Sequence, residues 1–507
     1  MKTQKEGLVI ALDLGTSNLK GAVYDIFGKE IALESIEYNL YTPSKSIVEN
    51  NVNIYWDNIL IILKKLIRRL ENRTKEILAI GITSQGETIL PVDRKGNPLR
   101  NAIVWLDTRT TLEAKELSEN FDLIEMFKKT GCANVEPSWP ATRILWIKKN
   151  EPEVFLKTYK FLLLEDYIVY KLTGKYVGEA SVYNTSYYYD VINFEYIHPM
   201  LDYLEINEDQ LPEITKSGTV VGRITSEISQ LTGLSINTKI VNGAMDQICG
   251  AVGAGNISEG VATENTGSSF AMIVTTAAPV IDLEGKLPFG PHAIPGSYVL
   301  IPYTSSGGIV LKWFKDVFCK EESKLAAKEG KSVFKILDNL ASKVPVGCEG
   351  LIMIPHITGA IFPEYNSNAR GVFFGFGINH NKGYFIRAVL ESLGYMMRSD
   401  IEAIERLGIN IEKVISTGGG ASSKLWSQIK ADICGINIEI PQYTETSLLG
   451  SAVLTTNALG IYNSIVDASK NIMKVQDVFL NNIINNSIYR NNYKKYKKLY
   501  KSVKDLF

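Results

Sequence analysis

Two short turns in this sequence carry the residue types that hold phosphate. The first is Gly15-Thr16-Ser17-Asn18, with Asp13 just before it and Lys20 just after. Backbone N–H groups in a glycine-containing turn, hydroxyls and a cation suit phosphate oxygens. Thr16, Ser17, Asn18 and Lys20 are therefore candidate phosphate contacts. Asp13 is a candidate magnesium ligand, acting partly through water, because Mg²⁺ gives up its waters reluctantly. The second turn, Asn265-Thr266-Gly267-Ser268-Ser269, repeats the chemistry far downstream. Each turn alone fits an ordinary polar hairpin equally well, and Asp13 alone could bond its own turn. The pairing favours phosphate, with Thr266, Gly267 and Ser268 on the second side. Three common nucleotide fingerprints are absent. Gly330-Lys331-Ser332 has Leu325 where a P-loop needs its first glycine. Gly253-Ala254-Gly255 has Ser258 where a dinucleotide motif needs its last. No HRD/DFG pair marks a protein kinase.

These turns need strands to hold them. Leu8–Leu12 is an apolar, β-branched run, and a second run passes through Ala22, Val23 and Tyr24. The pattern predicts strand, turn, strand. Gly260–Thr275 predicts the same, so two α/β halves, each headed by a hairpin, are expected. Apolar spacing predicts helices over 54–72, 141–149, 162–172, 248–254, 309–317, 383–407 and 424–434. Residues 106–116 read as a further helix, and 320–344 as charged and helical. The Asn-, Tyr- and Lys-rich tail reads as a helix packing its Tyr and Leu face, with a basic nucleic-acid arm as the alternative. The chain is expected to divide into 1–247, 248–460 and a helical tail 461–507.

The 507 residues suffice for two or three domains. A hydrophobic share of 45% and a formal charge of −1 give no global attraction to nucleic acid or an anionic membrane. Five scattered cysteines without a CxxC pair fit a reducing cytoplasm and argue against disulfides or structural zinc. The opening MKTQKEG lacks an export signal, and no apolar run is long enough to cross a bilayer. A cytoplasmic enzyme is expected, with neither membrane nor nucleic acid as partner. A homodimer is left open.

The order of motifs resembles the FGGY family of carbohydrate kinases, which is similar in fold to actin and hexokinase. The resemblance runs from about residue 8 to 460 and rests on LDLGTSNLKG, Ser84-Gln85-Gly86-Glu87-Thr88, AIVWLDTRT, Gly243-Ala244-Met245-Asp246-Gln247, Thr266-Gly267-Ser268-Ser269 and Gly418-Gly419-Gly420-Ala421-Ser422. It implies two ribonuclease-H-like α/β domains flanking a cleft for ATP and a small sugar or polyol. It also implies a ketose, such as the pentulose xylulose, as acceptor. Several positions depart from the family. Arg143 stands where the helical signature usually has Lys, Phe376 and Tyr384 are unusual in the later signature, and Glu87 stands where xylulokinases have His. Glycerol or another polyol is therefore the nearest alternative, and an actin- or chaperone-like ATPase switch is the alternative of another class.

Transfer of a phosphoryl group to an alcohol needs a phosphate clamp, a metal and a group that orients the hydroxyl and takes its proton. Asp246, after a strand and small residues, is the candidate base. It could also cap the following helix. Gly419, Gly420 and Ser423 are candidates to lie against the nucleoside, where glycine allows close approach. Gly307 has the same reading. Gln85, Gly86, Glu87, Trp105, Asp107 and Gln247, with Asp246, form the candidate acceptor wall. Trp105 could instead be core and Asp107 a helix cap.

Overall fold

The computed structural model describes residues 7–284 and 287–507. Most of the opening stretch read above for export signals lies outside them. The chain divides into two compact units. One comprises 1–257, 277–299 and 445–473, and the other 258–276, 300–444 and 474–507.

The first unit is built on strands β1 (Leu8–Leu14), β2 (Asn18–Asp25), β3 (Glu30–Glu37), β4 (Ile77–Ser84), β5 (Thr219–Arg223) and β6 (Lys239–Met245), in the order β5-β6-β4-β1-β2-β3. β1 and β2 form an antiparallel hairpin, with Asp13 opposite Lys20. β4 runs parallel to β1, and β6 parallel to β4. β1 reads as a continuous apolar run because both faces of the sheet are covered, as a central parallel strand requires. Leu8, Ile10, Leu12 and Leu14 share a core with Ile59, Ile62, Leu63 and Leu66 of the helix Val52–Leu70. Helices Asp246–Ala254 and Thr446–Ala458 cross at very short range. A Cβ on Gly450 would lie 1.8 Å from the Cys249 carbonyl oxygen, and one on Gly253 would lie 2.1 Å from that of Thr446. The small residues of both helices are what permit this crossing. A second sheet takes Tyr41–Ser44, Ile47–Asn50, Ala102–Ile103, Ile89–Val92 and Lys160–Leu163 in that order.

The other unit repeats the scheme with β7 (Val261–Thr266), β8 (Phe270–Thr276), β9 (Lys413–Thr417), β10 (Asn437–Pro441) and β11 (Val475–Phe479). β7–β8 is an antiparallel hairpin. β9 is parallel to β7, β10 parallel to β9, and β11 antiparallel to β10. This is the pairing pattern of β2-β1-β4-β6-β5, so the duplication suggested by two hairpins extends to five strands of each sheet. The tail helix Ile483–Val503 buries Tyr489, Tyr493, Tyr496, Leu499 and Tyr500. Tyr489 donates to Glu391 at 2.9 Å and accepts from Arg387 at 3.0 Å, both on the helix Lys382–Glu405.

Several elements differ from the sequence reading. Residues 106–110 are a loop, and the helix starts at Thr111 because Asp107 is held below it by Arg109 and Val48. The 320–344 stretch is two helices, Lys320–Glu329 and Val333–Ser342, broken at Gly330, whose φ is +63°. Residues 162–163 finish a strand before the helix Leu164–Thr173. Strands β5 and β11 are short edge strands, rich in exposed or polar positions, and carry little periodic signal.

Candidate active site

Three neighbouring parallel strands of the first unit end at one edge. Asp13 pairs in register with Thr83, Leu14 with Ser84, and Met245 with Ser84. Asp13, the Gln85–Glu87 loop and Asp246 therefore emerge side by side, at the carboxyl ends of the strands, where open α/β sheets place ligands. The loop is fixed from below by Gln85 N–H donating to the Leu14 carbonyl at 3.1 Å.

The edge is polar, crowded and under-paired. Gln85 is only 4% exposed, and its amide and the Tyr55 hydroxyl interact with each other but make no hydrogen bond of ordinary geometry among the described residues. The buried oxygens Asp13 Oδ1 and Asn18 Oδ1 are also unpartnered. Buried polar atoms normally find partners, so such a gathering marks a place where a ligand completes the bonding. Burial raises the Asp13 carboxyl to about 7, against the lowering effect of Lys20. Burial, then the charges of Asp13 and Glu87, raise Asp246 to about 8, although the Gln247 N–H donates to it at 2.6 Å. Asp246 is the first residue of its helix, with Met245 at the cap position. Glu87 is raised by burial and partly restrained by Thr185, whose hydroxyl donates to it at 2.6 Å, and by Arg143. Among the described residues no group of three or more His, Cys, Asp or Glu could hold a metal unaided. A magnesium ion needs only one or two carboxylates besides water and phosphate, so Asp13 with its free oxygen fits one.

The structure treats the other expected residues unequally. Trp105 joins the hairpin, its indole N–H donating to Thr16 Oγ1 at 2.8 Å, and Gly86 lies 3.5 Å, as a notional Cβ, from Met245 Sδ. Ser17 and Gln247 are exposed. Lys20 Nζ is engaged by Glu445 at 2.6 Å, a partner far along the chain. Asp107 is not part of the wall. It is fully buried, and both oxygens are bonded, by Arg109 and by the Val48 N–H at 2.6 Å.

In the other unit three loops interlock. The Gly307 and Gly308 N–H groups donate to the carbonyls of Ser268 and Gly267 at 3.2 and 2.8 Å. A Cβ on Gly307 would sit 2.2 Å from the Ser269 backbone, and one on Gly420 would sit 2.7 Å from Thr266 Cβ. Gly418 has φ +74° and would meet Asn265 Oδ1 at 2.3 Å. Gly267, Ser268 and Gly419 remain exposed. The Thr266 hydroxyl is committed inward, donating to Glu264 at 2.7 Å and accepting from Lys430 at 2.8 Å. The Ser423 hydroxyl caps the helix Lys424–Cys434 through the Trp426 N–H at 3.1 Å.

Arg143, Thr185, Glu445 and the Glu264–Lys430 pair had no place in the sequence reading of the site. Only Arg143 left a signal, as a charged residue amid the apolar face of SWPATRILWIKK.

The N-terminal and C-terminal domain models of the FGGY family of carbohydrate kinases match residues 8–253 and 265–459. The chain belongs to the FGGY family of carbohydrate kinases. It is 29% identical over 499 residues to the xylulose kinase of Staphylococcus epidermidis, covering 98% of this chain and 97% of that one. Among solved structures, the ligand-bound xylulose kinase of Lactobacillus acidophilus matches with a TM-score of 0.89 at 24% identity, over 98% of each chain. The gluconate kinase of the same species matches with a TM-score of 0.90 at 24% identity, again over 98% of each. This FGGY kinase thus has the two-domain fold of its family, and the expected fold class holds. No described helix is long and apolar enough to cross a membrane.

Proposed function

We propose that this kinase transfers the γ-phosphoryl group of ATP to a hydroxyl of an uncharged ketose, a pentulose such as xylulose, releasing ADP. The observation that carries this reading is the row of strand ends bearing Asp13, Gln85, Glu87 and Asp246, with unpartnered buried polar atoms among them. The relatives named xylulose kinase point to the same acceptor class. Asp246 takes the proton of the attacking hydroxyl. Gln85 and Glu87 bond neighbouring hydroxyls, and Trp105 offers an apolar face. Asp13 would hold Mg²⁺, and the ion would supply neutralisation of charge on the phosphates. The charge of Asp13 helps keep Asp246 protonated, so countering that charge would favour the basic form of Asp246. Within the first unit, Thr16, Ser17 and Asn18 are the groups that contact phosphate oxygens. The second unit, taken by itself, offers Gly267 and Ser268 for the same chemistry. Gly307, Gly419 and Gly420 bring backbone close to the nucleotide. The five cysteines are buried and free, which fits a cytoplasmic enzyme.

An aldonate such as gluconate suits this wall less well. It would add a negative charge beside Asp13, Glu87 and Asp246, while Lys20, across the hairpin from Asp13, is already paired with Glu445. A polyol remains the second reading, because Gln85 and Glu87 offer the amide and carboxylate that vicinal hydroxyls need. A coupled ADP-release screen over pentuloses, hexuloses, glycerol, longer polyols and gluconate tests both. Strong stimulation by a pentulose is expected. Stimulation by gluconate alone would overturn the uncharged acceptor, and ATP hydrolysis indifferent to every acceptor would favour the ATPase switch.

A further inference from the structure

Arg143 is among the largest fully buried side chains in the protein, and no carboxylate pairs with it directly. Its guanidinium is spent on backbone carbonyls. Nη1 donates to Glu87 O at 2.5 Å and Ile103 O at 3.3 Å, while Nη2 donates to Val104 O at 2.9 Å and Asp107 O at 3.3 Å. One planar group therefore ties the loop that carries Glu87 to the loop that carries Trp105. A buried charge is costly unless it is bonded, and here Nη1 and Nη2 depend on these four carbonyls while Nε has no partner among the described residues, so the arrangement constrains both segments.

The Glu87 backbone shows what is being held. Its φ is +54°, in the left-handed region that a side chain with a Cβ avoids. The Thr88 N–H closes onto the Gly86 carbonyl at 2.6 Å, and the Thr88 hydroxyl accepts from the Trp105 N–H at 3.3 Å. In this conformation the Glu87 carbonyl meets Arg143 while its carboxylate meets Thr185 at 2.6 Å. A lysine offers three donors at one point and cannot span four carbonyls from two loops as a planar fork does.

We infer that Arg143 is a positioning residue for acceptor selection: it fixes the strained Glu87 turn and the Trp105 loop in one geometry and acts on the acceptor through them. The inference rests on the reading that Glu87 contacts the acceptor.

The test is a double-mutant cycle with Arg143→Lys, Glu87→Gln and the pair, assayed on the best acceptor and on its epimer. Arg143→Lys is expected to raise the acceptor KM at least tenfold, leave the KM for ATP within twofold, and narrow the preference between epimers. The double variant is expected to lose less than the sum of the two single losses, since part of the arginine's effect passes through Glu87 and the rest through the Trp105 loop. Additive losses, or equal changes in the acceptor and ATP constants, would overturn the positioning role. A Glu87→Gln enzyme that behaves as wild type on every acceptor would instead overturn the acceptor-wall reading. Should Arg143→Lys fold poorly, Thr185→Val, which removes the other restraint on Glu87, is expected to narrow the epimer preference likewise, and unchanged preference there would count against the proposal.

Discussion

Asp246 is made a weak acid by its surroundings. Its value near 8 means the carboxyl is protonated at neutral pH in the free protein, and only the deprotonated form can take a proton. The expected pH profile has kcat/KM rising about tenfold per pH unit on the acid side and levelling at or below about pH 8, since a cation at Asp13 removes part of what raises Asp246. A profile with no acid-side fall down to about pH 5 would remove Asp246 from the role of base. Asp246→Asn is expected to lower kcat by about 10²- to 10⁴-fold while the KM for ATP stays nearly unchanged, as measured by coupled ADP release. The residue types proposed here can be named from the sequence, because an aspartate after a strand and hydroxyls in a glycine turn are what phosphoryl transfer calls for, although each could equally serve its own turn or cap a helix. Asp107 was not, since an aspartate that binds sugar and one that binds a neighbouring arginine look alike until Arg109 and Val48 are seen around it. The Glu264–Lys430 pair, fully buried at 2.6 Å, is another residue-scale device, since it holds the Thr266 hydroxyl at the end of β7. Lys430→Met leaves a buried carboxylate unpaired and is expected to cost about 3–5 kcal/mol, read by chemical denaturation.

At the scale of elements, glycines decide how close backbones come. The 1.8 Å that would separate a Cβ on Gly450 from the Cys249 carbonyl leaves no room for a methyl group. Gly450→Ala must push two packed helices apart and is expected to cost about 1–3 kcal/mol or more, seen as a lower melting temperature. Gly307→Ala collides with the Ser269 backbone at the end of the turn proposed to contact phosphate. It is expected to raise the KM for ATP severalfold while leaving the acceptor KM nearly unchanged, and the reverse pattern would remove this loop from the nucleotide side. Long amphipathic helices and apolar strands were legible because their periodicity is strong. The short strands β5 and β11 were not, because their pairing is decided by neighbours brought from elsewhere in the chain.

Over the whole molecule, folding buries several carboxyls in places that disfavour their charged form. Asp13 and Asp166 are raised to about 7, Asp246 to about 8, and Glu364 to about 7, all chiefly by burial. In the unfolded chain these groups titrate near 4. Between those values the folded protein binds more protons than the unfolded one, so stability falls as pH rises through the folded values. The melting temperature is expected to drop steadily from about pH 5 to about pH 9. Asp166→Asn, which keeps an oxygen for the Leu163 N–H and Tyr183 hydroxyl, is expected to flatten that fall. A melting temperature that rises over this range would contradict the assignment.

The sequence by itself determined the class of chemistry, the two hairpins and the family, because these depend on residue types in local order. Tertiary structure alone decided which groups are free to react. Lys20 is paired by Glu445, Asp107 is locked by Arg109, and Thr266 is turned inward by Glu264 and Lys430. It also decided that Arg143 grips the Glu87 and Trp105 loops together. Each of these depends on a partner brought close by folding, often from far along the chain, and local residue order holds no record of who that partner is.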